Sequence, residues 1–371
     1  MAGEQPLGVG LIGCGMIGQV HAAGLGQLVE DGDVRAVAAA DLSEDARMAA
    51  NRNARGFERL HADGQAVIDD PEVEAVLIAS PTSTHRDLLL ATLAAGKPVL
   101  CEKPLAPTFP IVREMHDAVI ASGLTAQVGF HSRFHYLFNR LKDLVDSGEL
   151  GAPMGYVLRE DQYWPTGDVV PGHSSWRSDR TQAGGGALLE HTIHGADVVS
   201  WLFGPATRVF GHTRSHFGYD VEDVAAATVE HDSGVIGTFL TVFNGVRGRE
   251  ERRLEVFFEH GAVEVTADFV VGAPEDGLLI QRPDTPAEHA DLDALRAAHW
   301  KQLGLTRTDV FFYLYLGARN WVHTVRAGGA ATPGFADALA AHALVEAAYR
   351  SAASGDPVKL EGDLALASQG R

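Results

Sequence analysis

Cysteine is nearly missing from this chain, with only Cys14 and Cys101 among 371 residues. Two thiols make no disulfide framework, and both fall at predicted strand ends or turns, so a reduced, cytoplasmic setting is expected. Positive charge is also scarce: 30 Lys and Arg stand against 49 Asp and Glu, a formal net charge of −19. That balance argues against nucleic acid or an anionic membrane as partner and reads as a solvated acidic surface. No apolar run reaches the roughly 20 residues of a membrane-spanning helix. The opening MAGEQPLGVG has no basic stretch leading into an apolar run, so no signal peptide is expected. Internal repeats and long low-complexity linkers are absent as well. What remains is a chain with 46% hydrophobic residues, long enough for two cores.

The first third alternates strand and helix patterns. LGVGLIG is a short buried strand, Met16 to Glu30 a helix, and VRAVAAAD a second strand ending at Asp41. Ser43 is placed to cap the next helix, with acidic residues in its first turn. EVEAVLIAS, PVLCE and LTAQVGF read as further strands, with the helix HRDLLLATLAAG between the first two. This rhythm predicts an α/β domain with a parallel sheet over residues 1–127. Residues 128–371 change character. A helix at YLFNRLKDLVDSG is followed by alternating, half-exposed segments: PMGYVLRED, RVFGHTRSHF, DVAAATVEHDSGVIGTFLTVFN, RRLEVFFEHGAVEVTAD and FVVGAPEDGLLIQ. They predict a mostly antiparallel sheet with one open face. One helix, ALLEHTIHGADVVSWLFG, interrupts them. An alanine-rich helix at about 335–354 closes the chain and is expected to pack back toward the first domain. Apolar residues on both faces of VIGTFLTVF predict a homo-oligomer, a homodimer or homotetramer built through this sheet.

LIGCGMIG, residues 11–18, places Gly13, Gly15 and Gly18 in a G-x-G-x-x-G pattern. In a chain with 41 glycines the triplet alone decides little. Its setting decides more, because it follows a strand and opens a helix. Gly13 allows the tight turn, Gly15 lets backbone amides approach a pyrophosphate, and Gly18 lets helix pack on strand. The helix N-terminus, with Met16 and Ile17 in its first turn, offers N–H groups to the anion. Asp41 stands where an acceptor for the adenosine ribose hydroxyls is needed, and it would repel a 2′-phosphate. NAD is therefore expected as cofactor rather than NADP.

GVGLIGCGMIGQVHAAGL, AVLIASPTSTH and CEKPLA together resemble the glucose–fructose oxidoreductase/inositol dehydrogenase/rhizopine catabolism (Gfo/Idh/MocA) family. GFHSRF, LKDLVDSGELGAP, GGGALLEHTIHGADVVSWLFG and AYRSAASGDPVKL extend the resemblance over nearly the whole chain. It implies a Rossmann domain joined to an open-faced sheet domain, with oxidation of a sugar or cyclitol hydroxyl as the commonest activity. It also implies that Ser80, Pro81, Thr82 and His85 form a cofactor-contacting turn, although His85 reads equally as an early-helix residue. Inositol dehydrogenases usually carry an arginine where this chain has Ser132, which puts inositol itself in doubt; His131 and Arg133 remain as substrate candidates.

Oxidation of a secondary alcohol needs a base for its proton and a donor for the developing oxygen. Lys103, in the Glu102–Lys103–Pro104 motif, lies past a buried strand at the carboxyl edge where α/β ligands bind. Without the resemblance it would read as a loop lysine. Glu102 would orient the lysine or its neighbouring backbone. Glu190 and His194 are four apart on a predicted helix, so the carboxylate can hold the imidazole and the imidazole can take the proton. By resemblance His194 matches the catalytic histidine, and Glu190 stands where many members carry aspartate. His191 makes EHTIH look like a metal motif, but no third ligand is evident, so no metal is expected and His191 is assigned to packing or the pocket wall. Tyr163, Trp164, Trp176 and Arg177 serve either as a substrate rim or as core and dimer contacts. An NAD-dependent sugar or cyclitol dehydrogenase leads. A glycosidase or epimerase that cycles NAD through a keto-sugar, and a non-catalytic NAD–sugar sensor, would carry many of the same residues.

Overall fold

The computed structural model describes residues 5–164, 175–246, 251–267, 276–305 and 313–365. Six parallel strands form the first sheet: β1 (Leu7–Ile12), β2 (Val34–Ala40), β3 (Arg59–His61), β4 (Ala75–Ile78), β5 (Val99–Cys101) and β6 (Ala126–Val128), in the order β3-β2-β1-β4-β5-β6. That is the doubly wound order, whose reversal between β1 and β4 opens a crevice at the carboxyl ends of the strands. Both faces are covered by helices, so β1, β2 and β4 are buried almost throughout. The helix Met16–Glu30 has the bounds its sequence predicts, and Ser43 caps the helix Glu44–Asn53 by accepting the Ala46 N–H. Gly96, at φ +71°, lies just past the end of the helix His85–Ala94. The edge strand β3 has no counterpart in the predicted elements; three half-exposed residues, two of them polar, give no period to read.

The second sheet has nine strands: β7 (Pro153–Tyr163), β8 (Ala206–Arg214), β9 (Val224–His231), β10 (Ile236–Asn244), β11 (Glu251–Phe258), β12 (Gly261–Thr266), β13 (Gly277–Gln281), β14 (Glu288–His289) and β15 (Val358–Lys359). Their order is β14-β13-β12-β11-β7-β10-β9-β8-β15, and among the described residues only the central pair β7/β10 is parallel. The predicted hairpins at HDSG and EHGA are present as β9–β10 and β11–β12. Residues 269–275, the first part of the strand predicted from FVVGAPEDGLLIQ, lie outside the described residues. Burial alternates along β10. The inward residues pack under the helices Ile193–Phe203 and Phe335–Ser354, while Val157, Ile236, Leu240 and Phe257 stay exposed on the other face. No described helix is long and apolar enough to cross a membrane.

The helix predicted from ALLEHTIHGADVVSWLFG is not continuous. Ala187–His191 is a π-helical turn, and the α-helix begins at Ile193. The cause lies in the segment that leads into β9. The buried Glu222 carboxylate accepts the N–H groups of both Gly186 and Leu188 at 3.0 Å, pinning the start of the turn. A Cβ at Gly186 would fall 1.8 Å from the Glu222 carbonyl oxygen, so only glycine fits. The closing helix Phe335–Ser354 lies across β8 and reaches the first domain, where His342 Nε2 accepts the Leu105 N–H at 3.2 Å.

Burial holds His85, His131, His191 and His194 below the ordinary imidazole value, His135 at about 3 and His342 at about 4. Unfolding lets each take up a proton once the pH falls below the unfolded value near 6.5. Stability is thus full above that pH and is lost as pH falls toward the folded values, by up to about 1.4 kcal/mol per pH unit for each ring. The midpoint of urea unfolding is expected to fall steeply between pH 7 and pH 5; a flat profile over that range would contradict the burial described.

Candidate active site

A cleft of about 1040 Å³ follows the carboxyl edge of the first sheet and is lined by Gly13, Gly15, Met16, Ile17, Asp41, Ser80, Pro81, Thr82, Glu102, Lys103, Trp176, Arg177 and Glu190, among others. Its floor is the glycine turn. Gly13 has φ +93°, and a Cβ there would sit 2.5 Å from the Ser80 nitrogen. A Cβ at Gly18 would lie 2.1 Å from the Gly13 oxygen. A Cβ at Gly15, by contrast, would meet nothing within 4 Å, so that glycine keeps space open for a ligand. Gly15 caps the helix with no side chain, leaving first-turn N–H groups for an anion. Asp41 is held at both oxygens, Oδ2 by the Cys14 N–H at 2.7 Å and Oδ1 by the Ser43 N–H at 2.8 Å. The Arg47 guanidinium is spent on the Asp41 carbonyl oxygen. These residues fit a dinucleotide: an amide-lined turn for the pyrophosphate and a fixed carboxylate for the ribose.

His85 is a correction. It is buried, and its two ring nitrogens lie 2.9 Å from the Pro104 and Ser80 carbonyl oxygens. It braces two loops against each other and does not line the cleft.

At the far end of the cleft Lys103 Nζ donates to the backbone oxygen of Glu190 at 2.9 Å. A side chain of the first domain thus meets the π-helical turn of the second. The Glu190 carboxylate accepts from Arg177 Nε at 3.0 Å, and Arg177 in turn lies 4.6 Å over the Trp176 ring. Because the turn changes from π to α at Thr192, the i, i+4 geometry of an unbroken α-helix does not apply to Glu190 and His194. His194 is buried and held well below the ordinary value by burial first and then by the Lys103 and Arg252 charges. An imidazole in that state is a neutral base at pH 7. His191 is buried beside it and is lowered in the same way.

Two of the expected substrate contacts are structural. Arg133 is buried and forms a two-pronged pair with Asp197 at 2.8 and 2.6 Å, with Asp337 at 3.1 Å. Burial pushes the Asp197 carboxyl up to about 6 even with that arginine beside it. His131 turns its Nε2 to Glu102 Oε1 at 2.7 Å. Neither lines the cleft, and nor do the buried His191 and His194. Trp164 is buried as well, stacked on Tyr219 at 4.6 Å, so it is core rather than rim. Trp176 and Arg177 do form part of the wall.

The sequence reading passed over His21, Glu160 and Arg252. His21 contacts Glu102 from the glycine-turn helix. Glu160 and Arg252 form a buried ion pair from β7 and β11, with Arg252 Nη1 donating to Ser132 Oγ at 3.1 Å. Their one signal was a charge of each sign at the inward position of an alternating strand.

A doubly wound dinucleotide cleft that ends on a lysine, with the buried His194 imidazole near enough to feel that lysine's charge, defines a two-domain oxidoreductase with an NAD-binding Rossmann domain. Residues 7–130 match the family model for that domain (GFO/IDH/MocA, oxidoreductase family, NAD-binding Rossmann fold), and residues 138–264 match the GFO/IDH/MocA C-terminal domain. The chain belongs to the GFO/IDH/MocA oxidoreductase family. It is 31% identical over 364 residues to an inositol 2-dehydrogenase of Acidothermus cellulolyticus, covering 96% of each chain. A myo-inositol 2-dehydrogenase of Thermotoga maritima is 30% identical over 69% of this chain and 74% of its own. Among solved structures, levoglucosan dehydrogenase in complex with NADH superposes with a TM-score of 0.86 at 23% identity, over 96% of this chain and all of that one.

The Arg133 assignment is open to a direct check. Arg133→Met strands the fully buried Asp197 carboxylate and is expected to cost about 3 kcal/mol or more of folding stability, read by urea denaturation, with the substrate KM unchanged where the variant is folded. Wild-type stability with a raised KM would return Arg133 to the substrate site.

Proposed function

We propose that this protein oxidises a ring hydroxyl of a sugar, sugar derivative or cyclitol, with NAD as the hydride acceptor. The observation that carries the reading is the Lys103 Nζ contact on the Glu190 carbonyl. It brings a cation from the cofactor domain onto the turn that leads to a buried, neutral His194. The names of the relatives, inositol 2-dehydrogenase and levoglucosan dehydrogenase, support a polyhydroxylated ring as substrate. Ser132, bonded to Arg252 rather than replaced by an arginine of its own, supports a ring other than inositol.

The bound nicotinamide supplies the acceptor carbon for the hydride. The first-turn N–H groups of Met16–Glu30 would hold the pyrophosphate, and Asp41 would accept hydrogen bonds from the ribose hydroxyls. His194 takes the substrate O–H proton as the carbinol C–H electron pair leaves. Lys103 donates to the oxygen as it becomes a carbonyl. The Arg177–Glu190 pair and the Trp176 face form a polar and aromatic wall suited to hydroxyls and to the C–H face of a ring.

A screen for NADH release over myo-inositol, levoglucosan, free sugars, glycosides and sugar phosphates tests the activity. Net NADH from at least one neutral polyol is expected; tightly held NAD with no net NADH from any would point to internal redox cycling. On the best substrate His194→Ala is expected to lower kcat about 10²–10⁴-fold with cofactor affinity nearly unchanged. Lys103→Ala should cost at least as much, and Glu190→Gln less. Since His194 is held below the ordinary imidazole value, the acid limb of the oxidation rate is expected below about pH 6.5.

The Asp41 carboxylate is expected to favour NAD over NADP at least tenfold, about 1.4 kcal/mol. Comparable kcat/KM with both cofactors would refute that role. We also propose that the exposed apolar residues of the second sheet, Val157, Ile236, Leu240 and Phe257, are covered in a homodimer or homotetramer. Sedimentation at micromolar protein should then show a species at least twice the 39.5 kDa of one chain.

A further inference from the structure

Beside Lys103, at the end of β5, a carboxylate is buried where three parts of the chain converge. Glu102 is 4% exposed. Its Oε1 takes two imidazoles. His21 comes from the helix that opens at the glycine turn, with Nε2 at 2.7 Å. His131 comes from the turn after β6, where the chain crosses into the second domain, also with Nε2 at 2.7 Å. The other oxygen, Oε2, accepts the backbone N–H of Lys103 at 3.0 Å. Room for the group comes from Gly129, where a Cβ would lie 2.6 Å from the carboxylate atoms.

The protonation of this cluster follows from its contacts. Both histidines are buried, and among the described residues neither Nδ1 has a hydrogen-bond partner. A proton on Nε2 is bonded to the carboxylate; a second proton, on Nδ1, would be buried with nothing to accept it. Each ring is therefore placed to donate through Nε2, and burial holds the His131 imidazole below its ordinary value. Burial alone would push the Glu102 carboxyl up, but His131 and His21 outweigh it and hold it well below the usual range. The cluster carries one buried negative charge, which is costly without a use. Oε1 takes two N–H donors and Oε2 a third, so both oxygens must accept, which a carboxylate does and an amide, with one oxygen, does not.

We propose that Glu102, clamped by His21 and His131, is a positioning residue for proton transfer: it fixes the main chain of Lys103 and lays a buried negative charge beside the Lys103–His194 pair. The proposal rests on the reading of Lys103 and His194 given above. The groups facing Glu102 are His21, His131, Lys103, the Cys101 thiol and His85. Those facing His194 are Lys103, Arg252, His131 and His191. The His131 and His194 ring centres are 6.1 Å apart, so the carboxylate and the base lie within the range of a buried, poorly screened interaction. Lys103 and Arg252 disfavour a proton on His194; Glu102 opposes them. One carboxylate thus joins the helix that holds the pyrophosphate, the lysine that faces the substrate, and the entry to the second domain.

Glu102→Gln keeps the shape, removes the charge and leaves one of the three N–H donors without an acceptor. On the best substrate of the NADH-release panel, kcat is expected to fall about 10–100-fold, with KM for NAD changed less than threefold. The acid limb of kcat/KM should move to lower pH by about half a unit or more, because losing the anion disfavours protonated His194. A merely structural role would lower activity and leave the limb in place; that result, or wild-type kcat, overturns the proposal. Should Glu102→Gln fail to fold, two variants of His21 decide. His21→Leu removes the donor and should lose most of the activity, and His21→Gln, which keeps an N–H, should regain it; equal loss in both overturns the proposal. His194→Ala belongs in the same series. If it abolishes the limb while Glu102→Gln leaves it unmoved, this proposal alone fails. If His194→Ala keeps the limb, the base assignment fails and takes the proposal with it.

Discussion

The site depends on one contact between domains, the bond from Lys103 Nζ to the carbonyl oxygen of Glu190. Each partner is placed by a different sheet. The lysine follows β5, at the carboxyl edge where a parallel sheet leaves its strand ends open. The carbonyl belongs to a turn that is π-helical because Glu222 and Gly186 force it to be. A continuous α-helix would present different backbone groups to the lysine. The irregular turn is held by buried hydrogen bonds from Glu222, in the segment that leads into β9.

The sequence was most legible where backbone geometry dictates residue type. Gly13, Gly15 and Gly18 could be read because a turn, an approach and a close packing each forbid a Cβ, and the structure shows the matching clash or open space at each. Asp41 could be read because its spacing from that turn is set by one βαβ unit. Helix ends were legible where caps are local, as at Ser43 and Gly96. The π-turn was not, since Glu222 lies 36 residues from Gly186 and no local pattern announces it. Arg133 and His131 misled for the same reason. A charged residue in a family-like motif reads as a substrate contact until Asp197, 64 residues on, or Glu102 is seen to claim it.

Buried charge is the second recurring device. Glu160 with Arg252, Arg133 with Asp197, and Glu102 with its two histidines all lie close to the junction of the two domains. Such groups add little net stability over apolar packing, yet they discriminate strongly against any other arrangement of the same elements. At a junction where a cofactor cleft must meet a substrate wall within a fraction of an ångström, that discrimination matters more than the last kilocalories of burial.

The parallel pairing of β7 and β10 in an otherwise antiparallel sheet also bears on how such a protein can diversify. Two adjacent parallel strands cannot be joined by a hairpin, and after Tyr163 the described chain next enters the sheet at Ala206, where β8 begins, before β9 leads back to β10; the part before β8 is an excursion from the sheet. Trp176, Arg177, the π-turn and His194 all travel on that excursion. The stretch from Tyr163 to the π-turn, which brings Trp176 and Arg177 to the cleft, contributes no strand to the sheet among the described residues. Residues can be gained or lost there without shifting any strand register or the Lys103 side of the cleft. Substrate choice can therefore drift by insertion and deletion, while the cofactor half and the sheet stay unchanged.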